Sequence, residues 1–234
     1  MTSTSSPSGQ QLAALRAVEN LTGPAGRLEA LLNERSSGEA EPLPYSALVC
    51  HPHPLGGGTM HNKVVYRAMK TLQSFGLPVL RFNFRGTGLS AGTHDDGRGE
   101  IDDVRAALAW LEHEYGVPIL FCGFSFGSYV GLRACCGDAR VKGMAALGLP
   151  VRAEGRDYQY GFLAGCRQPK LFVSGSNDQF APQWQVEAAV AAAAPPANLA
   201  IVEGADHFFT GMLEQMQQHL RGWLDSNFFS PERS

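Results

Sequence analysis

The sequence predicts an α/β fold in which helices cover both faces of a mostly parallel central sheet. Short apolar runs typical of buried strands alternate with longer segments of helical periodicity, and this alternation continues from residue 45 to the chain end. Before it, two strand-like segments joined by Thr22-Gly23-Pro24-Ala25-Gly26 predict a hairpin that forms an antiparallel edge of the sheet. We expect one domain over residues 11–234 and a disordered tail over residues 1–10.

The individual elements follow in chain order. The hairpin strands are Leu15–Asn20 and Arg27–Leu32, and the polar composition of Ser36–Pro44 predicts a loop. Apolar runs then predict strands, and apolar residues at every third or fourth position predict helices, with Pro195-Pro196 ending one of them. The strands are Tyr45–Cys50, Leu77–Phe84, Val117–Cys122, Val141–Leu149, Lys170–Ser174 and Leu199–Val202. The helices are His61–Phe75, Glu100–Tyr115, Phe126–Cys136, Gln183–Ala194 and Phe208–Phe228.

Composition excludes several classes of protein. The net charge of −3 and the lack of a basic run argue against a nucleic-acid partner. No stretch approaches the roughly 18 consecutive apolar residues of a membrane span, and Met1–Gly9 lack the charged start and apolar stretch of a secretory signal. Five cysteines without a Cys-x-x-Cys motif, two of them in strand-like runs, are typical of reduced thiols in a cytoplasmic protein.

The segment Gly123-Phe124-Ser125-Phe126-Gly127 follows a predicted buried strand and precedes a predicted helix. A serine between glycines at this position is typical of a nucleophile on a tight strand-to-helix turn, because only small residues fit where backbone and helix approach closely. The alternative is that Ser125 is only a small turn residue. The strand before it and the helix after it favour the nucleophile.

Two further residues with the required chemistry follow other predicted strands. The carboxyl ends of parallel strands share one edge of a sheet, so Asp178 after Lys170–Ser174 and His207 after Leu199–Val202 are expected near Ser125. A histidine that takes the serine proton, held by a carboxylate, makes serine a nucleophile. Asp178 is preferred to Asp206 as the acid, because Asp206 adjoins His207 and neighbouring side chains diverge.

An oxyanion hole requires two backbone N–H donors. One is expected from Phe126, directly after the nucleophile, and the other from the loop His51-Pro52-His53-Pro54-Leu55-Gly56-Gly57-Gly58. The prolines have no N–H, so His53 and Leu55 both remain candidates. A zinc site at His51, His53 and His61 is the weaker interpretation of this loop, since a shaped turn explains the interleaved prolines better. No metal or cofactor is expected.

These residues together resemble the α/β-hydrolase superfamily, and within it a small bacterial group of dienelactone-hydrolase-like serine esterases. The likeness runs from about Arg27 to the chain end and rests on the histidine–proline loop, on Arg81–Ser90, on the serine turn and on Gly204–Phe209. It implies an α/β-hydrolase fold with the nucleophile at Ser125, the acid at Asp178 and the base at His207. Dienelactone hydrolases proper use a cysteine nucleophile, so this serine makes dienelactone a doubtful substrate.

The interval between Pro150 and Pro169 is where many members carry a lid. Its length predicts only a short flap and an open site, which favours small or exposed acyl esters. The expected activity is therefore cytoplasmic hydrolysis of a small-molecule carboxylic ester, by a monomer or homodimer. The alternatives are a thioesterase or acyl-peptidase with the same three residues, or a binding protein on this fold without catalysis.

Overall fold

The computed structural model describes residues 14–35, 43–153 and 156–230. Its helices and strands, numbered in chain order, are β1 Leu15–Val18, β2 Thr22–Gly23, β3 Gly26–Arg27, β4 Ala30–Asn33, β5 Ser46–Cys50, α1 Lys63–Gln73, β6 Val79–Phe82, α2 Arg98–Tyr115, β7 Ile119–Phe124, α3 Phe126–Cys135, β8 Val141–Leu147, β9 Arg152–Ala153, β10 Arg156–Asp157, β11 Lys170–Gly175, α4 Gln183–Ala191, β12 Ala197–Val202 and α5 Leu213–Leu224. The tail predicted for residues 1–10 and residues 36–42 of the predicted loop lie outside the described residues.

An eight-stranded sheet in the order β1-β4-β6-β5-β7-β8-β11-β12 forms the centre of the fold. The strands from β6 to β12 in this order pair in parallel, while β4 pairs antiparallel with both β1 and β6. Apolar side chains of α2, α3 and α4 pack on one face of the sheet, and those of α1 and α5 pack on the other. The predicted fold class is confirmed, including the antiparallel edge formed by the N-terminal hairpin.

The predicted segments differ from the observed ones mainly at their ends. The hairpin pairs β1 with β4, so its second strand begins at Ala30 rather than Arg27, and β2 and β3 form a separate two-residue ladder within the connection. The strand before the serine continues to Phe124, which places Ser125 directly at its end. Four of the five cysteines are buried, and all five are free thiols.

The last helix begins five residues later than predicted. Helix α5 starts at Leu213, because Phe209 and Gly211 both have positive φ angles, 52° and 74°, that no α-helix accommodates. Within the helix, Met216, Leu220 and Trp223 are buried, as expected for the apolar face of an amphipathic helix. A π-helical turn, Asp225–Phe229, follows directly.

The interval expected to hold a short flap contains only the small ladder of β9 and β10 and a 3₁₀ turn at Gly161–Gly165. No larger lid is present among the described residues of this interval, as the sequence predicts. None of the helices in the described part of the chain is both long and apolar enough to cross a membrane.

Candidate active site

Ser125 lies on a strained turn between β7 and α3. Its φ of 53° and ψ of −123° are unusual for a residue with a side chain, and such strain is found where the surrounding structure holds a residue for function. The two glycines make the turn possible. A Cβ on Gly123 would lie 2.6 Å from the Cα of Ser128, and a Cβ on Gly127 would lie 2.4 Å from the carbonyl oxygen of His51.

His207 contacts both Ser125 and Asp178. Its Nε2 lies 2.8 Å from Ser125 Oγ, and its Nδ1 lies 2.8 Å from Asp178 Oδ2. The side chains of His207 and Asp178 are 3% and 0% exposed, so water does not compete for the contact between them. The structure thus brings the three residues of the sequence hypothesis into one hydrogen-bonded chain. Asp206 does not take this place: its Oδ1 accepts the N–H groups of Phe208 and Thr210.

The loops that carry the acid and the histidine are held together through their backbones. The N–H of Asn177 donates to the carbonyl oxygen of Ala205 at 2.9 Å. Gly175 at the end of β11 allows this approach, since a Cβ there would lie 2.2 Å from that same oxygen. The second carboxylate oxygen of Asp178 accepts the Phe180 N–H at 2.8 Å, which fixes the rotation of the carboxylate toward His207.

Three phenylalanines surround the imidazole of His207. The ring centroids of Phe124, Phe180 and Phe208 lie 5.2, 4.8 and 5.2 Å from that of the histidine. These contacts restrict the tilt of the imidazole without taking either of its nitrogens. The sequence hypothesis did not include these aromatic residues, although all three lie within three residues of a predicted site residue.

The loop after β5 contains the two candidates for the second oxyanion donor, and the structure distinguishes them. The Leu55 N–H donates to Nδ1 of the His53 side chain at 3.1 Å, and the Leu55 side chain is 73% exposed. Among the described residues, neither the N–H of His53 nor that of Phe126 donates to a protein acceptor. These two N–H groups are therefore free for a ligand.

His51 anchors the start of the same loop. Its Nε2 accepts the Phe84 N–H at 3.0 Å, and its Nδ1 lies 2.7 Å from the Pro52 carbonyl oxygen, so Nδ1 carries the proton. Burial lowers the pKa of His51 to about 4, which keeps it neutral. Both ring nitrogens are thus used to fix the loop.

A partly buried network that the sequence hypothesis missed packs against His53. The His53 ring lies 4.7 Å from the rings of both His94 and Phe126. Nδ1 of His94 lies 2.7 Å from Oε1 of Glu100, whose side chain is fully buried and also accepts two backbone N–H groups. Burial, with the nearby Arg156 and His94, lowers the pKa of His53 to about 4. The network holds the loop against the first turn of α3.

A pocket of about 200 Å³ opens above Ser125, and we call it the nucleophile chamber. Its walls are mostly apolar or backbone, with a few polar side chains, which include those of the loop, of the flap and of Asn62 directly before α1. They are formed by Pro52, His53, Gly56, Gly57, Gly58, Asn62, Ser125, Pro150, Arg156, Tyr158, Phe180, His207 and Phe208. A cavity of about 150 Å³ holds benzene, so this chamber fits a small acyl or alkyl group.

Comparison with known proteins agrees with the fold. Residues 46–221 match a family described as alpha/beta hydrolase domain. An uncharacterized protein of Rickettsia prowazekii is 36% identical over 209 residues, which cover 86% of each chain. An alpha-beta serine hydrolase homologue from Coxiella burnetii is 36% identical, with a TM-score of 0.77 over 89% of this chain and 96% of that chain.

A second solved structure is similar in its lack of a lid. It is an α/β serine hydrolase without a lid from Xanthomonas campestris, 30% identical, with a TM-score of 0.77 over 94% of this chain and 97% of that chain. This similarity agrees with the short flap between β8 and β11.

Proposed function

This chain belongs to the alpha/beta hydrolase family, and we propose that within it the protein is a serine hydrolase that cleaves small carboxylic esters. The family and the serine hydrolases among the similar structures support a hydrolase activity. The observation that supports the ester mechanism most is the position of the His207 imidazole, which lies 2.8 Å from both Ser125 Oγ and Asp178 Oδ2.

The first half of the proposed reaction transfers the acyl group to the protein. Ser125 Oγ attacks the ester carbonyl carbon while its proton passes to Nε2 of His207. Asp178 keeps the proton of the imidazole on Nδ1 and stabilises the imidazolium that forms. When the tetrahedral intermediate collapses, the C–O bond to the alcohol breaks, and His207 returns the proton to the leaving oxygen.

The second half regenerates the serine. Water attacks the acyl-serine carbonyl and gives a proton to His207, and collapse of this intermediate releases the carboxylic acid as the proton returns to Ser125 Oγ. In both halves the negative carbonyl oxygen accepts hydrogen bonds from the backbone N–H groups of Phe126 and His53. Phe126 is the first residue of α3, so the helix dipole adds to this stabilisation.

The chamber supports small substrates. Its volume of about 200 Å³ leaves room for a short acyl chain, and Arg156 and Tyr158 of the flap form part of its wall. We therefore expect short-chain 4-nitrophenyl esters, such as the butyrate, to be hydrolysed faster than long-chain ones.

The test is ester hydrolysis by the wild type, by Ser125→Ala and by a matched control, Ser46→Ala. Ser46 is also buried, and its hydroxyl has no hydrogen-bond partner among the described residues, but it begins β5 and so lies at the opposite end of the parallel strands from Ser125. Release of nitrophenol should fall at least about 10³-fold in Ser125→Ala and remain within about twofold in Ser46→Ala. Equal rates in wild type and Ser125→Ala would contradict the proposal. Rates for a thioester and an amide of the same acyl group show which leaving group the site prefers.

A further inference from the structure

A second cavity adjoins the nucleophile chamber. It has a volume of about 490 Å³, and we call it the outer chamber. Gly57, Asn62 and Phe208 line both cavities, so the two are adjacent and meet at the Phe208 ring, and we call the pair the groove. Because the nucleophile chamber holds only a small group, a larger substrate that reacts at Ser125 would extend into the outer chamber.

Side chains of the outer chamber that can form hydrogen bonds come mainly from the segment that leads into α1. Among the described residues of its wall, Lys63 is the only lysine or arginine, and none is an aspartate or glutamate. No acidic side chain among the described residues forms an ion pair with Lys63. Its charge is therefore available to a ligand.

Asn62 adds a second donor at the junction of the two chambers. Its Oδ1 accepts the Val64 N–H at 2.9 Å and so caps α1, which leaves the Nδ2 hydrogens as its hydrogen-bonding atoms toward the groove. Thr59 supplies a hydroxyl group to the same wall, whereas the hydroxyl of Thr210 is hydrogen-bonded to the Asp206 carboxylate. A wall with an ammonium, an amide N–H₂ and a hydroxyl, and without a carboxylate among its described residues, favours a group that accepts hydrogen bonds and carries negative charge.

The nucleophile chamber has the same sign of charge. In the part of the chain that the structure describes, Arg156 is the only lysine or arginine in its wall, and no aspartate or glutamate lines it. A negative charge on the substrate is therefore not opposed by a lining carboxylate at either end of the groove.

We propose that the outer chamber is a subsite for an anionic group of the substrate, a carboxylate or phosphate that Lys63 and Asn62 bind while the ester bond lies at Ser125. This inference rests on the proposed ester hydrolysis and adds to it the class of substrate: an ester whose larger portion ends in an anionic oxygen group.

The test compares esters that differ only in this charge. One set pairs the 4-nitrophenyl esters of pentanoate and octanoate with the mono-4-nitrophenyl esters of glutarate and suberate, in which a carboxylate replaces the terminal methyl. A second set pairs phenyl acetate with 4-acetoxybenzoate, which carries the charge on the leaving group. The measured quantity is the ratio of kcat/KM for the charged ester to that for the neutral one.

The matched variants are Lys63→Gln and Lys70→Gln. Both lysines are exposed on α1, but Lys70 lies in its last turn and lines neither chamber. In at least one pair we expect a ratio of about five in the wild type and in Lys70→Gln, and a ratio near one in Lys63→Gln. About 0.5 M NaCl should also reduce the wild-type ratio, because salt screens an exposed charge.

Two results would overturn the subsite. One is a ratio near one for every pair in the wild type. The other is a ratio of kcat/KM values that is the same in Lys63→Gln as in the wild type. If Arg156→Gln lowers the ratio to about one instead, the anion binds in the nucleophile chamber.

Binding of the intact esters to Ser125→Ala keeps this test independent of turnover. The charged ester should bind about five times more tightly than its neutral partner, and Lys63→Gln in the same background should abolish the difference. A difference in binding without any turnover in the wild type would contradict the ester mechanism alone. Turnover without a difference in binding or rate would contradict the subsite alone.

Discussion

Replacement of Asp178 by asparagine changes the imidazole tautomer while it keeps the size of the side chain. In the wild type, Oδ1 of Asp178 accepts the Phe180 N–H at 2.8 Å and Oδ2 lies 2.8 Å from Nδ1 of His207. The asparagine must keep its oxygen toward Phe180, because that partner is a donor. Its N–H₂ group then faces Nδ1 of His207, which has to become the acceptor.

The magnitude follows from this geometry. With Nδ1 as acceptor, the proton of the imidazole is on Nε2, which points at Ser125 Oγ and cannot take the serine proton. Loss of the correct tautomer in a serine triad costs about 10⁴ in kcat, equivalent to about 5 kcal/mol of transition-state free energy. The thermal midpoint should change little, because the hydrogen bond from Phe180 and the packing around residue 178 are retained.

The assay is 4-nitrophenyl butyrate hydrolysis, with Asp206→Asn as the matched control. Asp206 is the neighbouring acid, and its Oδ1 accepts two backbone N–H groups that an asparagine oxygen also accepts, so its rate should remain within about tenfold of wild type. Equal losses in the two variants, or a larger loss in Asp206→Asn, would refute the assignment of Asp178 as the acid.

Three further predictions concern the loops and the backbone around the site. His53 has a φ of −54°, which proline also adopts, so His53→Pro can keep the backbone shape while it removes the backbone N–H. His53→Ala retains this N–H. We therefore expect kcat to be about 10²-fold lower in His53→Pro than in His53→Ala. Gly175→Ala should lower the free energy of unfolding, measured in urea, by about 3 kcal/mol, because the new Cβ would lie 2.2 Å from the Ala205 carbonyl oxygen. The control is Gly222→Ala, where the space around the new Cβ is open, and it should change the free energy of unfolding by less than about 1 kcal/mol. Burial lowers the pKa of His51 to about 4 in the folded protein. As the pH falls below about 6.5, the His51 imidazole is therefore protonated in the unfolded chain while it stays neutral in the folded one. Between about pH 7 and 4.5, the free energy of unfolding in urea should therefore fall by about 2 kcal/mol more in the wild type than in His51→Gln. Free energies of unfolding that fall equally with pH in both proteins would contradict this account.

The sequence was sufficient to predict which segments form the sheet and at which edge of it Ser125, Asp178 and His207 meet. Apolar runs bounded by polar residues identify buried strands, and parallel strands place the residues after them at one edge. That rule alone placed Ser125, Asp178 and His207 near one another, although 82 residues separate the serine from the histidine. It could not give the ends of the elements, as the positive φ angles of Phe209 and Gly211 before α5 show.

Features that depend on side-chain packing had no signal in the sequence. His53 and Leu55 both have an N–H in the same short loop, and only the bond from the Leu55 N–H to the His53 side chain separates them. The contact between His94 and the buried Glu100 brings together a loop and the first turn of α2, and nothing in the pattern of α2 indicates which partner Glu100 has. The outer chamber likewise forms from segments distant in sequence, the start of α1 and the loop before α5.

The central claim is that the Ser125 hydroxyl is a nucleophile activated by its contacts, and a covalent label tests it most directly. A fluorophosphonate reacts with activated serines, and the modified residue is identified by mass spectrometry of proteolytic fragments. We predict one adduct on the wild type, located at Ser125, with none on Ser125→Ala and strongly slowed labelling of Asp178→Asn. A folded wild-type protein that remains unlabelled, or that carries the label on another residue, would contradict the account.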